Sequence, residues 1–264
     1  MPNVEKPSAA LRQKQHYETI HDDYERHYYD SSSMAFRSEF VYDVLFDGVD
    51  LNGKVVADLA SGSGHNSVAV RRRFPGAKVI GFDISSSACE SYERNTGGKA
   101  YQVDLMSGAD HGVRADVAMV FGGLHHCTAN LPQTFKTAAY IVRPGGLFLM
   151  YEPNRQYILE GVRQAWYRLD KYFDRETEAA LNHQAIATLA SEYFSPAFCR
   201  YMGGPAYFLI YNSLLFRVPT RVKASIAPSL FALERLYNVL PGCWWYPYFV
   251  ARWHRWQKTP SGIE

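Results

Sequence analysis

Short apolar runs alternate with amphipathic stripes through the middle of the chain. Each run is bounded by turn residues, which is typical of strands that are buried on both faces. Between the runs, apolar residues recur at helical spacing, as in the surface helices of a globular domain. The alternation predicts an α/β fold with a doubly wound, mostly parallel sheet. The predicted strands cover residues 54–57, 78–82, a segment that ends at 103–105, 116–121, 146–151 and 197–202.

Helical patterns flank this alternation at both ends of the chain. Residues 8–29 and 34–45 precede the first strand, so neither segment belongs to the winding of the sheet. After residue 154, apolar residues recur at helical spacing over 158–169, and such a stripe usually faces a core. Further helices are predicted from 174, over 182–194 and over 228–240, whereas 206–218 fits strand and helix equally.

A turn of small residues follows the first predicted strand. It runs from Asp58 to Gly64 and leads into a helical pattern that begins at His65. Gly62 and Gly64 let the backbone turn sharply and let a ligand approach it closely. The free N–H groups at the start of the helix favour an anionic group. Asp58 stands where a cationic or hydroxyl-bearing part of the same ligand would lie.

Polar residues recur where the predicted strands end. Asp83 ends the second strand, roughly 20 residues beyond the glycine turn, where an acid is placed to bond ribose hydroxyls. In a doubly wound sheet, ligands bind outside the carboxyl ends of the strands. The convergence of these residues therefore predicts a binding site at that edge. They are Asp58, Asp83, Asp104, His125, His126 and Glu152.

Length, charge and cysteine content limit the domain organisation and the partners that we expect. With 264 residues, one domain with an added lid is the simplest organisation. A net charge of +2 gives no electrostatic argument for a nucleic-acid partner. The four cysteines lie far apart, which indicates reduced thiols in a cytoplasmic protein. We expect no signal peptide, no transmembrane helix and no metal site, because adjacent histidines on one short turn seldom bind the same metal.

From residue 50 to 155, the series of motifs resembles the class I S-adenosylmethionine-dependent methyltransferases. Within that family the chain looks most like the small-molecule enzymes related to the quinone C-methyltransferases. The resemblance implies a Rossmann-like domain over 51–264, with an antiparallel seventh strand at 248–256. It also implies an N-terminal helical lid over 1–50 and an insertion at about 155–195 that shapes the acceptor pocket.

The implied reaction moves a methyl group from S-adenosylmethionine to a small, lipophilic or aromatic acceptor. Methylation of an oxygen is favoured over nitrogen or carbon. A nucleic-acid methyltransferase and a non-catalytic S-adenosylmethionine-binding protein are the alternatives. Against the first, Gly122-Gly123-Leu124-His125 stands where nucleic-acid enzymes carry a tetrad like Asn-Pro-Pro-Tyr.

The resemblance also assigns the cofactor contacts. The turn cradles the methionine part and Asp58 helps to bind its amino group. Asp83 takes the ribose, and Asp104 accepts from the adenine amine. The family usually has glycine at position 60, and alanine there costs little if φ is negative. For Tyr29 the alternative is ordinary packing in a core, and for Arg37 it is a position in solvent. The complete set of predicted cofactor-binding residues is Asp58, Ala60, Ser61, Gly62, Gly64, Asp83, Ile84, Asp104, Leu105, Phe121, Tyr29 and Arg37.

Two histidines follow the fourth strand, where the transferred methyl group should emerge. A histidine is suited to take a proton near neutral pH. His126 is the preferred base and His125 the second candidate, because His126 lies further past the strand end. The alternative is that the pair only shapes the floor of the pocket.

The segment 243–249 is unusually aromatic. With Arg252, Arg255 and Lys258 nearby, its tryptophans and tyrosines fit a peripheral membrane contact. Burial against the sheet or in a subunit contact, as in a homodimer, is favoured, because these side chains bury large areas.

Overall fold

The computed structural model describes residues 28–167, 179–213 and 215–257. A seven-stranded sheet has the order β3-β2-β1-β4-β5-β7-β6. The first five strands pair in parallel, and β7 is antiparallel to both β5 and β6. The predicted fold, with its antiparallel seventh strand, is confirmed. The strands are β1 (Val55–Leu59), β2 (Lys78–Asp83), β3 (Lys99–Gln102), β4 (Ala115–Phe121), β5 (Val142–Pro153), β6 (Phe194–Met202) and β7 (Tyr248–Arg255).

Helices cover the sheet and connect its strands. The α-helices are α1 (Ser31–Arg37), α2 (Asp43–Leu45), α3 (His65–Arg73), α4 (Ser86–Thr96), α5 (Leu131–Ile141), α6 (Glu160–Tyr167), α7 (His183–Leu189) and α8 (Thr220–Tyr237). Tighter or wider helical turns occupy Ser38–Tyr42, Leu105–Ser107, Leu124–Asn130 and Tyr207–Tyr211. Within the described residues, none of these helices is long and apolar enough to cross a bilayer.

The sheet is buried between two apolar layers. Phe36 and Leu45 belong to the layer on one face, and Phe135 and Trp253 to the layer on the other. Gly81 in β2 makes one close approach feasible, since a Cβ there would lie 2.8 Å from the Tyr92 ring. The absence of a side chain at Gly81 therefore lets α4 pack tightly on the sheet near the site.

The segment before β1 forms one continuous helix from Ser31 to Leu45, with a π-helical turn between α1 and α2. Val41 and Leu45 are buried as predicted, and Met34 is half-buried. Arg37 is also buried, so its placement in solvent is wrong. The helix predicted over 8–29 lies outside the described residues except for its last two.

Sequence expectations for the second half were partly inaccurate, and the choice left open for residues 206–218 is settled there. The helix predicted from Pro228 starts eight residues earlier, at Thr220, and Pro228 lies inside it. The stripe over 158–169 does not face a core throughout, because Ile158 and Val162 are exposed. The ambiguous segment forms a helical turn at Tyr207–Tyr211. The helix predicted from 174 begins outside the described residues.

The aromatic segment divides into a buried and an exposed part. Tyr246, Tyr248 and Phe249 are buried, in line with the favoured expectation. Trp244 and Trp245 are 64% and 45% exposed, so these two side chains are not buried against the sheet, and their burial in a subunit contact stays a prediction.

Candidate active site

The turn between β1 and α3 has an unusual backbone. Gly62 and Gly64 have φ values of 51° and 83°, where glycine is unstrained. Ala60 also has a positive φ, 52°, so the condition under which alanine would cost little is not met. A left-handed conformation costs an alanine roughly 1–2 kcal/mol. The turn therefore holds Ala60 in a strained conformation at the end of β1.

Gly64 starts α3 at a place with no room for a side chain. A Cβ would lie 2.6 Å from Thr96 Cγ2 and 2.8 Å from the Tyr92 ring. The first turn of α3 is thereby drawn against α4, and its N-terminal end is directed toward the carboxyl edge of the sheet. This is the geometry that the glycine turn predicted.

Asp58 is a buried acid, and its two carboxylate oxygens differ in their hydrogen bonding. Its Oδ2 accepts a hydrogen bond from Ser67 Oγ at 2.7 Å, and Ser67 Oγ lies 2.8 Å from the Tyr92 hydroxyl. Its Oδ1 is buried without a hydrogen-bond partner. Burial raises the pKa of Asp58 to about 7. The site therefore holds an acceptor oxygen that a cationic donor would satisfy.

Asp83 fixes the glycine turn. Its Oδ2 accepts from the Gly62 N–H at 2.8 Å and its Oδ1 accepts from the Ser85 N–H at 2.9 Å. Each carboxylate oxygen can accept more than one hydrogen bond, so Asp83 keeps capacity for a ribose hydroxyl. The acid that the sequence predicts for the ribose thus also shapes the cradle.

The residues predicted for adenine lie at the neighbouring strand end. The Val103 N–H donates to the Asp83 carbonyl at 2.7 Å, which joins the ends of β2 and β3. Asp104 Oδ1 accepts from the Met106 N–H at 2.8 Å. Leu105 is buried and Ile84 is half-buried. The structure brings these three residues together beside Asp83, and their adenine contacts stay a prediction.

Arg37 reaches the site from α1. Its Nη1 donates to Asn66 Oδ1 at 2.7 Å and its Nη2 donates to the Tyr211 hydroxyl at 2.8 Å. The guanidinium lies 4.7 Å from the ring centre of Tyr29, and its Nε is buried without a hydrogen-bond partner. Phe121, at the end of β4, is also buried. Arg37 is thus a cation held by neutral groups beside the glycine turn.

The unsatisfied polar atoms match the methionine end of S-adenosylmethionine. Asp58 Oδ1, Ser61 Oγ and Arg37 Nε are buried and lack hydrogen-bond partners. Such atoms are costly unless a ligand or water pairs with them. The cofactor's ammonium complements the acceptor Asp58, and its carboxylate complements the donor Arg37. The residues present therefore fit the cofactor.

His125 and Glu152 form a pair across the ends of β4 and β5. His125 Nδ1 lies 2.8 Å from Glu152 Oε2, and Glu152 is fully buried. Glu152 also accepts the backbone N–H groups of Gly123, Leu124 and His125 at 2.7–3.2 Å. One carboxylate therefore fixes both the loop and the imidazole ring.

Burial controls the protonation of this pair. It raises the pKa of Glu152 to about 8 and lowers the pKa of His125 to about 3. Near neutral pH the pair consequently holds two protons. One lies between Glu152 Oε2 and His125 Nδ1, and the other belongs to the neutral imidazole of His125. Because the groups are in direct contact, they titrate as a unit.

His126, the preferred base of the sequence interpretation, has a different environment. Its ring lies 4.0 Å from the His125 ring, centre to centre, and the backbone N–H of His126 donates to the Gly123 carbonyl. The carboxylate of Glu152 contacts His125 instead. Within the described part of the chain, no group of histidine, cysteine and acidic residues has the arrangement of a metal site.

Sequence reasoning missed several site residues. Ser67 supports Asp58, and Asn66 receives both Arg37 and the Tyr42 hydroxyl. The contact of Ser67 could have been predicted, because this hydroxyl residue lies in the first turn of the helix that directly follows Asp58 and the glycine turn. Nothing local to Tyr211 indicates that it would meet Arg37, because that contact depends on the tertiary fold.

Comparison with known proteins identifies the domain. Residues 56–146 match the family model of the methyltransferase domain. Magnesium protoporphyrin IX methyltransferase ChlM from Synechocystis PCC 6803, solved with bound S-adenosylhomocysteine, is 15% identical with a TM-score of 0.60. The alignment covers 94% of this chain and 100% of that one.

Two further structures have the same fold. The N-methyltransferase NodS from Bradyrhizobium japonicum WM9, also in complex with S-adenosylhomocysteine, is 9% identical with a TM-score of 0.56, over 91% of this chain and 98% of that one. The [4+2]-cyclase SpnF is 13% identical with a TM-score of 0.62, over 97% and 99%. A cyclase with this fold shows that the architecture alone does not define the reaction.

The family match defines a methyltransferase domain over residues 56–146, and the solved structures show the same fold over more than nine-tenths of the chain. The predicted fold is confirmed, and the matched domain agrees with the predicted family and cofactor. The resemblance to the quinone C-methyltransferases stays a prediction.

Proposed function

We propose that the protein methylates a hydroxyl oxygen of a small, lipophilic or aromatic acceptor. When bound, S-adenosylmethionine supplies a methyl group on a sulfonium, a leaving group that needs no further activation. The protein then has to align the acceptor, exclude water and accept the hydroxyl proton. The observation that carries the proposal is the hydrogen-bonded pair of His125 and buried Glu152 at the carboxyl edge of the sheet.

In this proposal the pair, rather than His126, accepts the proton. Deprotonated, it consists of the Glu152 carboxylate and an imidazole with its proton on Nδ1, which leaves a lone pair on Nε2. A proton taken at Nε2 is balanced by transfer of the Nδ1 proton to Glu152. The raised pKa of Glu152, about 8, then describes the pair and lies close to the pH at which a base works best.

The class of acceptor is tested by methyl transfer from radiolabelled S-adenosylmethionine. Label in the small-molecule fraction of a cell extract, extractable into organic solvent, supports the proposal. Label in bulk RNA would favour a nucleic-acid methyltransferase. Cofactor binding without any transfer would favour a non-catalytic binding protein. Mass spectrometry of the labelled product then identifies the methylated atom.

His125→Gln and Glu152→Gln test the pair once an acceptor is found. Each should lower kcat by about 10²–10⁴, the usual contribution of a general base, with S-adenosylhomocysteine binding unchanged. The wild-type rate should rise with pH to a plateau above about 8. His126→Gln is the matched control and should keep most of the turnover. The opposite pattern, in which only His126→Gln is inactive, would identify His126 as the general base.

A further inference from the structure

The outward side of α8 has an apolar surface. Leu233 and Leu236 are exposed on this helix, and Val239 and Leu240 are exposed just beyond its end. The inward side of the same helix buries the charged residue Glu234. A surface helix normally shows the reverse pattern, with its polar residues in solvent. Exposed apolar residues at helical spacing indicate a surface that contacts something other than water.

Two exposed tryptophans extend this surface. Trp244 and Trp245 follow α8 in a turn that is tied to it, since the Tyr246 hydroxyl donates to the Tyr237 and Leu240 carbonyls. The Ile158 N–H donates to the Trp244 carbonyl at 2.8 Å, which adds the exposed start of α6. We call this combined surface, residues 233–245 with 158–162, the apolar corner.

The apolar corner lies at the edge of the sheet that carries the site. Tyr248, the first residue of β7, pairs with Pro153, the last residue of β5. The turn before Tyr248 therefore stands next to the carboxyl end of β5, one residue beyond Glu152. At the other end of β7, His254 pairs with Leu147, so Trp256 lies at the opposite edge.

The charge that is not paired within the protein near the apolar corner is basic. Residues 194–257 contain one acidic residue, Glu234, and seven lysines and arginines, of which Lys223 is buried and Arg235 is paired with Glu39. Glu160, in the other part of the corner, is paired with Arg163. Glu234 is buried, where it accepts the N–H groups of Gly204 and Ala206. Arg200, near the end of β6, and Arg155, just after β5, are exposed at the same edge as the apolar corner.

We propose that the apolar corner docks on a lipid bilayer that carries anionic headgroups. Tryptophans settle at the boundary between headgroups and acyl chains, leucine side chains enter the apolar layer, and arginines attract anionic lipids. Docking there places the carboxyl edge of the sheet beside the membrane. An anionic bilayer is complementary to Arg155 and Arg200, whereas a second copy of the same edge would bring like charges together.

Sedimentation with vesicles tests the proposal without cofactor or acceptor, so its result is independent of the methyl-transfer assays. The full chain should co-sediment with equimolar phosphatidylcholine and phosphatidylglycerol, and less with phosphatidylcholine alone. Trp244→Ser/Trp245→Ser should weaken this binding about tenfold or more, since each large side chain loses its apolar burial. Trp256→Ser, at the other edge, is the matched control and should bind like the wild type.

Thermal melting of each variant separates a docking defect from misfolding, and Leu236→Asp provides a second variant of the corner. Equal binding of the double variant and the wild type would overturn the proposal, as would absence of binding to anionic vesicles. A wild-type dimer in sedimentation equilibrium that the double variant loses, with no vesicle binding, would make the corner a contact between copies.

Discussion

Asp58 shows how one residue links burial to cofactor binding. Its carboxyl group is buried, has a pKa of about 7, and leaves Oδ1 without a partner. The ammonium of a bound ligand would stabilise the charged form and lower this pKa. Below about pH 7, binding of S-adenosylhomocysteine should therefore release a proton. Its affinity should rise with pH and level off above about 7.

Calorimetry in buffers of different ionisation enthalpy measures that proton release. Asp58→Asn should weaken binding by about 1.5–3 kcal/mol, the range for a hydrogen bond to a charged group, and should abolish the release. Ser67→Ala is the matched control, since it removes a neighbour of Asp58 but leaves the titrating group. An unchanged pH dependence in Asp58→Asn would remove Asp58 from the methionine end of the site.

The site residues that sequence could predict are those whose position depends on the local chain. Asp58, Gly62 and Gly64 follow from a strand, a turn and a helix in succession. Asp83 follows from its distance to that turn. The backbone of Ala60 could not be predicted, because the left-handed conformation is imposed by the turn on a residue that does not favour it. The pairing of His125 with Glu152 joins two strand ends whose side-chain directions are settled by packing.

At the scale of elements, a buried ion pair joins α1 to α8. Lys223 Nζ contacts Asp30 Oδ2 and donates to Ser33 Oγ at 2.9 Å. Asp30 caps α1 by accepting the Ser32 and Ser33 N–H groups. Because Arg37 lies one turn further along α1, this contact from a distant helix helps to position it in the site.

Lys223→Met should lower the free energy of unfolding by about 3 kcal/mol, because it leaves the carboxylate of Asp30 mostly buried without its cation. The double variant Asp30→Asn/Lys223→Met should cost less than the sum of the two single changes, since asparagine retains the cap without the charge. Urea denaturation measures both. Additive costs would mean that the ion pair makes no net contribution.

The same helix shows where pattern reading fails. The predicted helix begins at Pro228, and the first turn of a helix is the place that proline prefers. In the structure α8 begins at Thr220 and continues through Pro228, and Lys223 is buried near its start. A helix with exposed leucines and buried charges gives a misleading periodicity. By contrast, α4 begins directly after Ser85, whose hydroxyl accepts the Ala88 N–H, and such a hydroxyl cap is a local signal in the sequence.

For the whole molecule, three buried carboxyl groups make stability depend on pH. Burial raises the pKa values of Asp58 and Glu234 to about 7 and that of Glu152 to about 8. In the unfolded chain such groups titrate near 4. Above that, the folded state holds protons that the unfolded state has released. The stability contributed by these groups is therefore complete below about pH 4 and is lost as pH rises through 7 to 8.

The ligand-free protein should accordingly melt at lower temperature as pH rises from about 7.5 to 8.5. Over this range histidines are largely neutral in both states, so they contribute little to the change. Asp110 has a pKa lowered to about 2 by Arg114, and it affects stability only in acid. Differential scanning calorimetry measures the trend, and Glu234→Gln should flatten it. A melting temperature that rises over this range would contradict the assigned shifts.

The contact between Ala60 and Gly123 limits how this protein could have evolved. A Cβ on Gly123 would lie only 2.6 Å from the Cβ of Ala60, so the ends of β1 and β4 have room for one side chain between them. An ancestor with glycine at 60 could acquire the alanine only while position 123 was glycine. Side chains at both positions are thus mutually exclusive, and each residue constrains the other. Among descendants, a side chain at 123 should be found only together with glycine at 60.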